Sequence, residues 1–197
     1  MLRLCFSILA LILPFFCTFT KPLSAKTAEL ARGLHNPRGI VPVATGSLII
    51  LEAGTGKTLD GVNSGKISWW RDLNQDDQFD SSEESRLRED LYSYNIMEVF
   101  NPGRDEVVGP GDGLLRNDHT LIYTRDSGRE TTEIVQLDLV DLAEVVLIER
   151  PGVVNSITLS SDQQSLFLAE STLNQIGAYH FGSGYEEILL FDVLQNQ

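Results

Sequence analysis

Three stretches of this chain repeat one pattern, and that repeat limits the possible folds more than any single motif. Asn36-Pro37-Arg38-Gly39-Ile40 leads through a turn to Leu48-Ile49-Ile50-Leu51-Glu52. Gly109-Pro110-Gly111-Asp112-Gly113-Leu114 leads to Leu121-Ile122-Tyr123-Thr124-Arg125, and Asn155-Ser156-Ile157-Thr158-Leu159 leads to Leu166-Phe167-Leu168-Ala169-Glu170. Each unit is a short apolar strand, a polar turn and a second apolar strand that ends in a charge. A third run follows each time, at Lys66–Trp70, Ile134–Leu137 and Ile176–Tyr179, and a fourth is clearest at Glu144–Ile148 and Glu187–Leu190. Four strands per unit, recurring about every 40 to 50 residues, is the pattern of a β-propeller blade. The second runs are apolar at successive positions, as expected of strands covered on both faces.

The spacing between second strands is about 73 residues and then about 45, so the first unit carries about 28 extra residues after Trp70. The expected fold is all-β and propeller-like. It has about three to four blades of four-stranded antiparallel sheet, as a partial or truncated six-bladed type. The expected organisation is a leader over 1–25 and a propeller-like domain over 26–197, with an acidic insertion at about 71–100.

Arg3 precedes an apolar run from Leu4 to Phe19, and Leu23-Ser24-Ala25 offers a small residue for cleavage, as in a secretory signal peptide. The rival reading is an uncleaved anchor, but Pro14 interrupts the run and it falls short of the roughly 20 residues that span comfortably. The expected location is secreted or periplasmic. Both cysteines, Cys5 and Cys17, lie in the leader, so the mature chain offers no thiol for a disulfide or a metal. The formal charge is −13, and loss of Arg3 and Lys21 takes it to about −15. So acidic a chain disfavours nucleic acid and anionic membrane surfaces as partners and favours divalent cations. The expected partner is a small molecule or a protein.

The strongest chemical motif is Asp72-Leu73-Asn74-Gln75-Asp76-Asp77-Gln78-Phe79-Asp80-Ser81-Ser82-Glu83. Asp72, Asn74, Asp76, Asp80 and Glu83 fall at positions 1, 3, 5, 9 and 12 of an EF-hand-type loop. Gln78 supplies the backbone carbonyl at position 7. Hard oxygen ligands in this order can wrap one Ca²⁺ and relieve the repulsion among the carboxylates. Asp77 stands at position 6, where Gly normally makes the turn, and no helix precedes the loop. The alternative is a solvated acidic loop. Glu52-Ala53-Gly54-Thr55-Gly56-Lys57-Thr58 ends like a P-loop, but it has Leu51 where the motif needs Gly and a turn-rich stretch where it needs a helix. His35, His119 and His180 keep no metal-ligand spacing. One of Trp69 and Trp70 is expected in the core. Arg38, Glu52, Asn155 and Glu170 stand at strand starts and ends. Such positions can face the central channel of a propeller, and these four are the candidate ligand-binding residues.

Gly33-Leu34-His35-Asn36-Pro37-Arg38-Gly39-Ile40, with Gly46 to Gly56, resembles the opening blade of secreted NHL-type propellers, closest to the ScyD/ScyE-like proteins of scytonemin clusters. Val154-Asn155-Ser156-Ile157-Thr158-Leu159-Ser160-Ser161-Asp162, with Leu166 to Glu170, resembles the signature of gluconolactonase and strictosidine-synthase-like propellers. The resemblance implies a divalent metal held by a first-blade Glu, an Asn and a later Asp. Asn155 matches the Asn, Ser156 replaces the Gly after it, and the first-blade position around Arg38 has no carboxylate. The expected function is a non-catalytic binding or scaffold module, calcium-stabilised through the acidic loop. The alternative is a metal-dependent lactonase or esterase-like hydrolase that uses Asn155 with Glu170 or Glu52.

Overall fold

The computed structural model describes residues 30–44, 46–56, 63–95 and 107–190. The leader, Lys57 and Thr58 of the P-loop-like run, and the stretch after Leu190 lie outside the described residues.

Three four-stranded antiparallel sheets follow one another along the chain, each a simple meander. Blade 1 is β1 (Pro37–Ala44), β2 (Ser47–Glu52), β3 (Gly65–Arg71) and β4 (Glu84–Leu91). A two-stranded ribbon follows, β5 (Tyr94–Asn95) with β6 (Val107–Val108). Blade 2 is β7 (Gly113–Asn117), β8 (Thr120–Asp126), β9 (Thr131–Asp138) and β10 (Glu144–Pro151). Blade 3 is β11 (Val154–Leu159), β12 (Ser165–Glu170), β13 (Gln175–His180) and β14 (Gly184–Leu190). The described residues contain no helix. The stretch expected as an insertion over about 71–100 contains β4, the fourth strand of the first blade. Only Leu87 and Leu91 of β4 are buried, among charged residues that face solvent.

The blades stack through their faces. Ile49, Leu51 and Ile67 of blade 1 pack on Leu121, Tyr123, Val135 and Leu137 of blade 2. Ile122 and Ile134, on the opposite face of blade 2, pack on Ile157, Leu166 and Leu168 of blade 3. Alternate residues of β8 therefore enter different cores, which is why Leu121, Ile122 and Tyr123 are all buried. Burial on both faces does not extend to β12. Leu166 and Leu168 are buried against blade 2, but Phe167 is half-buried and Ala169 exposed, because no described blade covers that face.

Blade 1 is protected differently. Residues 30–36 run the length of its sheet as a strap. Leu30 accepts the Phe79 N–H at one end (2.7 Å), and His35 and Asn36 accept the Gly54 and Ala53 N–H groups at the other (3.0 Å each). The strap meets Glu52, which lies on the face away from blade 2, through the His35 N–H (2.6 Å). The strap thus covers part of the blade 1 face that blade 2 leaves open.

Candidate functional site

The first strands of the three blades meet at one end of the arc. Strand β1 packs close on the turn before β7 because both sides are glycine there. A Cβ added at Gly39 would lie 2.5 Å from the Gly111 carbonyl oxygen. The approach leaves a cavity of about 490 Å³, within the range of small-molecule sites. Its walls include Arg38 from β1, Val107 and Val108 from β6, Asp112 from the turn before β7, Thr124 and Asp126 from β8, and Val153 to Ser156 at β11.

Asp112 is structural. Its Oδ1 accepts the Gly113 N–H (2.9 Å), and its Oδ2 accepts the Ser156 hydroxyl (2.8 Å) and the Ile157 N–H (2.9 Å). Its own N–H donates to Thr124 Oγ1 (2.9 Å). One carboxylate thus ties blade 2 to blade 3 beside the cavity. Asp126 is different. Its Oδ1 accepts the Gly128 N–H (2.7 Å), and among the described residues no cation pairs with it. Burial pushes its carboxyl above the ordinary Asp value, and the Gly128 hydrogen bond only partly offsets this. Exposed Arg38 donates from one guanidinium nitrogen to the Val107 carbonyl (2.8 Å) and forms no ion pair among the described residues. The exposed Asn155 side chain forms no hydrogen bond among the described residues.

Of the four residues expected to bind a ligand, Arg38 and Asn155 line this cavity together, and Glu52 and Glu170 do not. Glu52 is fully buried on the strap side of blade 1, with Lys66 Nζ at 3.1 Å. Burial opposes the Lys66 charge, but Glu84 at 2.8 Å and Glu52 outweigh it and raise the ammonium's pKa. Glu170 is buried between blades 2 and 3. It accepts from Arg150 Nε (2.5 Å), Gln175 Nε2 (2.6 Å) and the Tyr185 hydroxyl (2.6 Å). Burial would raise the Glu170 pKa, but these donors hold it below the ordinary value. The Tyr185 hydroxyl is pushed up to about 12 by burial and by Glu170. The Arg150 guanidinium also stacks 3.7 Å from the Tyr185 ring. Both glutamates therefore serve as buried ion-pair partners. Sequence reasoning missed Asp112, Thr124 and Asp126. The one available signal was that Asp112 sits in a glycine-rich turn and Asp126 directly follows the charged end of a second strand.

The acidic loop joins β3 to β4. Glu52 pairs with Lys66 at the cavity end of blade 1, and Ser47 with Arg71 at the far end, so the loop lies on the opposite side of the arc from Arg38. It is wound around its own side chains. The Asp72 carboxylate accepts the Asp76 and Asp77 N–H groups (3.1 and 3.0 Å). Asn74 Oδ1 accepts the Asp76 N–H (2.9 Å), and Asp76 Oδ1 the Gln78 N–H (2.9 Å). Glu83 is buried and accepts from Leu73, Asn74 and Asp80 N–H groups. Asp77 has φ of 60°, the left-handed turn that position 6 requires. Phe79 turns inward, edge-on to Trp70 at 6.4 Å. Asn74, Asp76, Gln78, Asp80 and Glu83 line a second cavity, of about 640 Å³, beside the strap. Among the described residues, no three His, Cys, Asp or Glu side chains are gathered closely enough to hold an ion as they stand.

Of the three histidines singled out in the sequence, His35 and His119 are exposed, and only His180 has side-chain partners among the described residues. His180 holds Ser165 Oγ at Nδ1 (2.7 Å) and Glu186 at Nε2 (3.0 Å). Trp70 is the core tryptophan, and Trp69 is half-buried with Arg71 stacked 4.0 Å from its ring.

No protein family and no curated protein matches this sequence. Among solved structures, an oligogalacturonate lyase in complex with manganese matches with a TM-score of 0.50 and 11% identity, over 82% of this chain and 37% of that chain. TolB from Acinetobacter baumannii matches with a TM-score of 0.47 and 14% identity, over 81% and 33%. The periplasmic gluconolactonase PpgL of Pseudomonas aeruginosa matches with a TM-score of 0.49 and 14% identity, over 79% and 45%. The chain spans less than half the length of each. The first likeness concerns fold alone. With the three stacked meanders, it makes this a β-propeller-like chain.

Proposed function

We propose that this chain is a secreted, non-catalytic binding module whose ligand site is the cavity where the three blades meet. One observation carries the reading. Three polar side chains that form no ion pair among the described residues, Arg38, Asp126 and Asn155, come from three different blades and line one cavity. Buried polar groups are normally paired inside the protein, so a half-buried carboxylate without a cation beside open space suits an external partner. A hydrolase of the lactonase type would need Glu52 or Glu170 beside Asn155, and both are held elsewhere by Lys66 and Arg150. Export is proposed from the leader-like N-terminal sequence.

The acidic loop is proposed as a structural Ca²⁺ site. Asp72, Asn74, Asp76, Asp80 and Glu83 would supply side-chain oxygens and Gln78 a carbonyl. The support is the left-handed Asp77 at the turn position and the preset orientation of Asp72 and Glu83.

The binding reading is tested by thermal shift against a set of small polar compounds. A compound that raises the melting temperature of the wild type, but not of Asn155→Ala, supports it. A rise that survives Arg38→Gln, Asp126→Asn and Asn155→Ala together would place the ligand elsewhere and defeat it.

A further inference from the structure

We infer that the cavity ligand is a zwitterion, a small aliphatic α-amino acid whose carboxylate meets Arg38 and whose ammonium meets Asp126. The inference rests on the cavity being the ligand site. Two opposite charges, one from β1 and one from β8, line the same space and form no ion pair with each other. Among the described residues Arg38 makes a single hydrogen bond, to a backbone carbonyl, so its other donors can meet a ligand. Asp126 is half-buried, and its one hydrogen bond among the described residues comes from the Gly128 N–H.

Other ligand classes leave a charge uncompensated. A simple anion would meet Asp126 and Asp112 as well as Arg38, two negative charges to one positive. A simple cation would face the Arg38 guanidinium. A neutral polyol would leave the half-buried Asp126 carboxylate without a counter-charge, which is costly in a partly desolvated site. Asp112 is spent on Gly113, Ser156 and Ile157, so Asp126 is the carboxylate left for an ammonium. A ligand that carries an ammonium and a carboxylate on one carbon offers a counter-charge to both Arg38 and Asp126. The Asn155 amide remains to bridge donor and acceptor groups. Of the lining valines, half-buried Val108 and exposed Val153 offer aliphatic surface for a branched side chain.

The experiment is isothermal titration calorimetry at neutral pH with three probes: L-valine, 3-methylbutanoate, which lacks the amine, and 2-methylpropylamine, which lacks the carboxylate. L-valine should bind about tenfold or more tighter than either analogue, because each loses one charge-assisted contact. Arg38→Gln should remove the preference over the amine, and Asp126→Asn the preference over the carboxylate. Circular dichroism melts would confirm that both variants fold. Equal binding of L-valine and either analogue overturns the inference. A protein that takes other polar compounds in the thermal-shift assay yet ignores L-valine sinks this inference alone. One that takes nothing sinks the cavity reading with it.

Discussion

Arg150→Ala removes the cation that faces Glu170 across the seam between blades 2 and 3. In the native protein the carboxylate is buried, with Arg150 at 2.5 Å and two neutral donors, Gln175 and Tyr185, both at 2.6 Å. Breaking a buried ion pair from one side costs about 3–5 kcal/mol. Here two hydrogen bonds survive and Arg150 is partly exposed, so the expected loss is about 2–3 kcal/mol, a fall in melting temperature of roughly 5–10 °C. The pH dependence separates charge from packing. Native Glu170 titrates below its unfolded value, so its contribution is present above the unfolded pKa and is lost as pH falls through the folded one. Without Arg150, burial is opposed only by neutral donors and the folded pKa rises. The deficit of the variant should therefore be largest near pH 7 and shrink below about pH 5, where protonation relieves the stranded charge. Urea melts of both proteins at pH 7 and pH 4 measure it. A deficit under about 1 kcal/mol, or one that stays constant with pH, would refute the claim that this pair holds the seam.

Gly39→Ala should cost about 1–3 kcal/mol and weaken ligand binding, since its Cβ would meet the Gly111 carbonyl at 2.5 Å and push blade 1 off blade 2; chemical denaturation and titration of the variant check both. Asp126→Asn should raise stability at pH 7 by about 0.5–1 kcal/mol, because it deletes a half-buried carboxylate whose pKa burial has raised, while it weakens binding; a melt alongside the titration separates the two effects. Ca²⁺ at about 10 mM should stabilise the protein by about 1.4–2.7 kcal/mol if the loop binds with extracellular-type affinity, and Asp76→Ala should reduce the gain. Identical melts in Ca²⁺ and in chelator would remove the ion.

The repeat was legible because each second strand writes a dense apolar run between turn residues, as at Leu48–Leu51 and Leu121–Tyr123. Strand β4 was not. It lies at a sheet edge, shows the core only Leu87 and Leu91, and has irregular register with β3. The identity of its partners decided the role of each strand-end glutamate. Glu52 shares a face with the buried Ile50 by the alternation of the pleat, but nothing local says that Lys66 and the strap would meet it there. Glu170 likewise depends on Arg150, which reaches it from the neighbouring blade. Arg38 and Asn155 could be proposed because the starts of first strands converge in any radial stack. Asp126 gained its character from burial by neighbouring segments, which no local pattern encodes.

Amide chemical-shift mapping with added L-valine tests the central claim most directly. The account predicts perturbations concentrated at Arg38, Gly111, Thr124, Asp126 and Asn155, with the acidic loop and the Ser165–His180 end of blade 3 unmoved. Shifts confined to that loop or to that far end, with the cavity signals still, would contradict it.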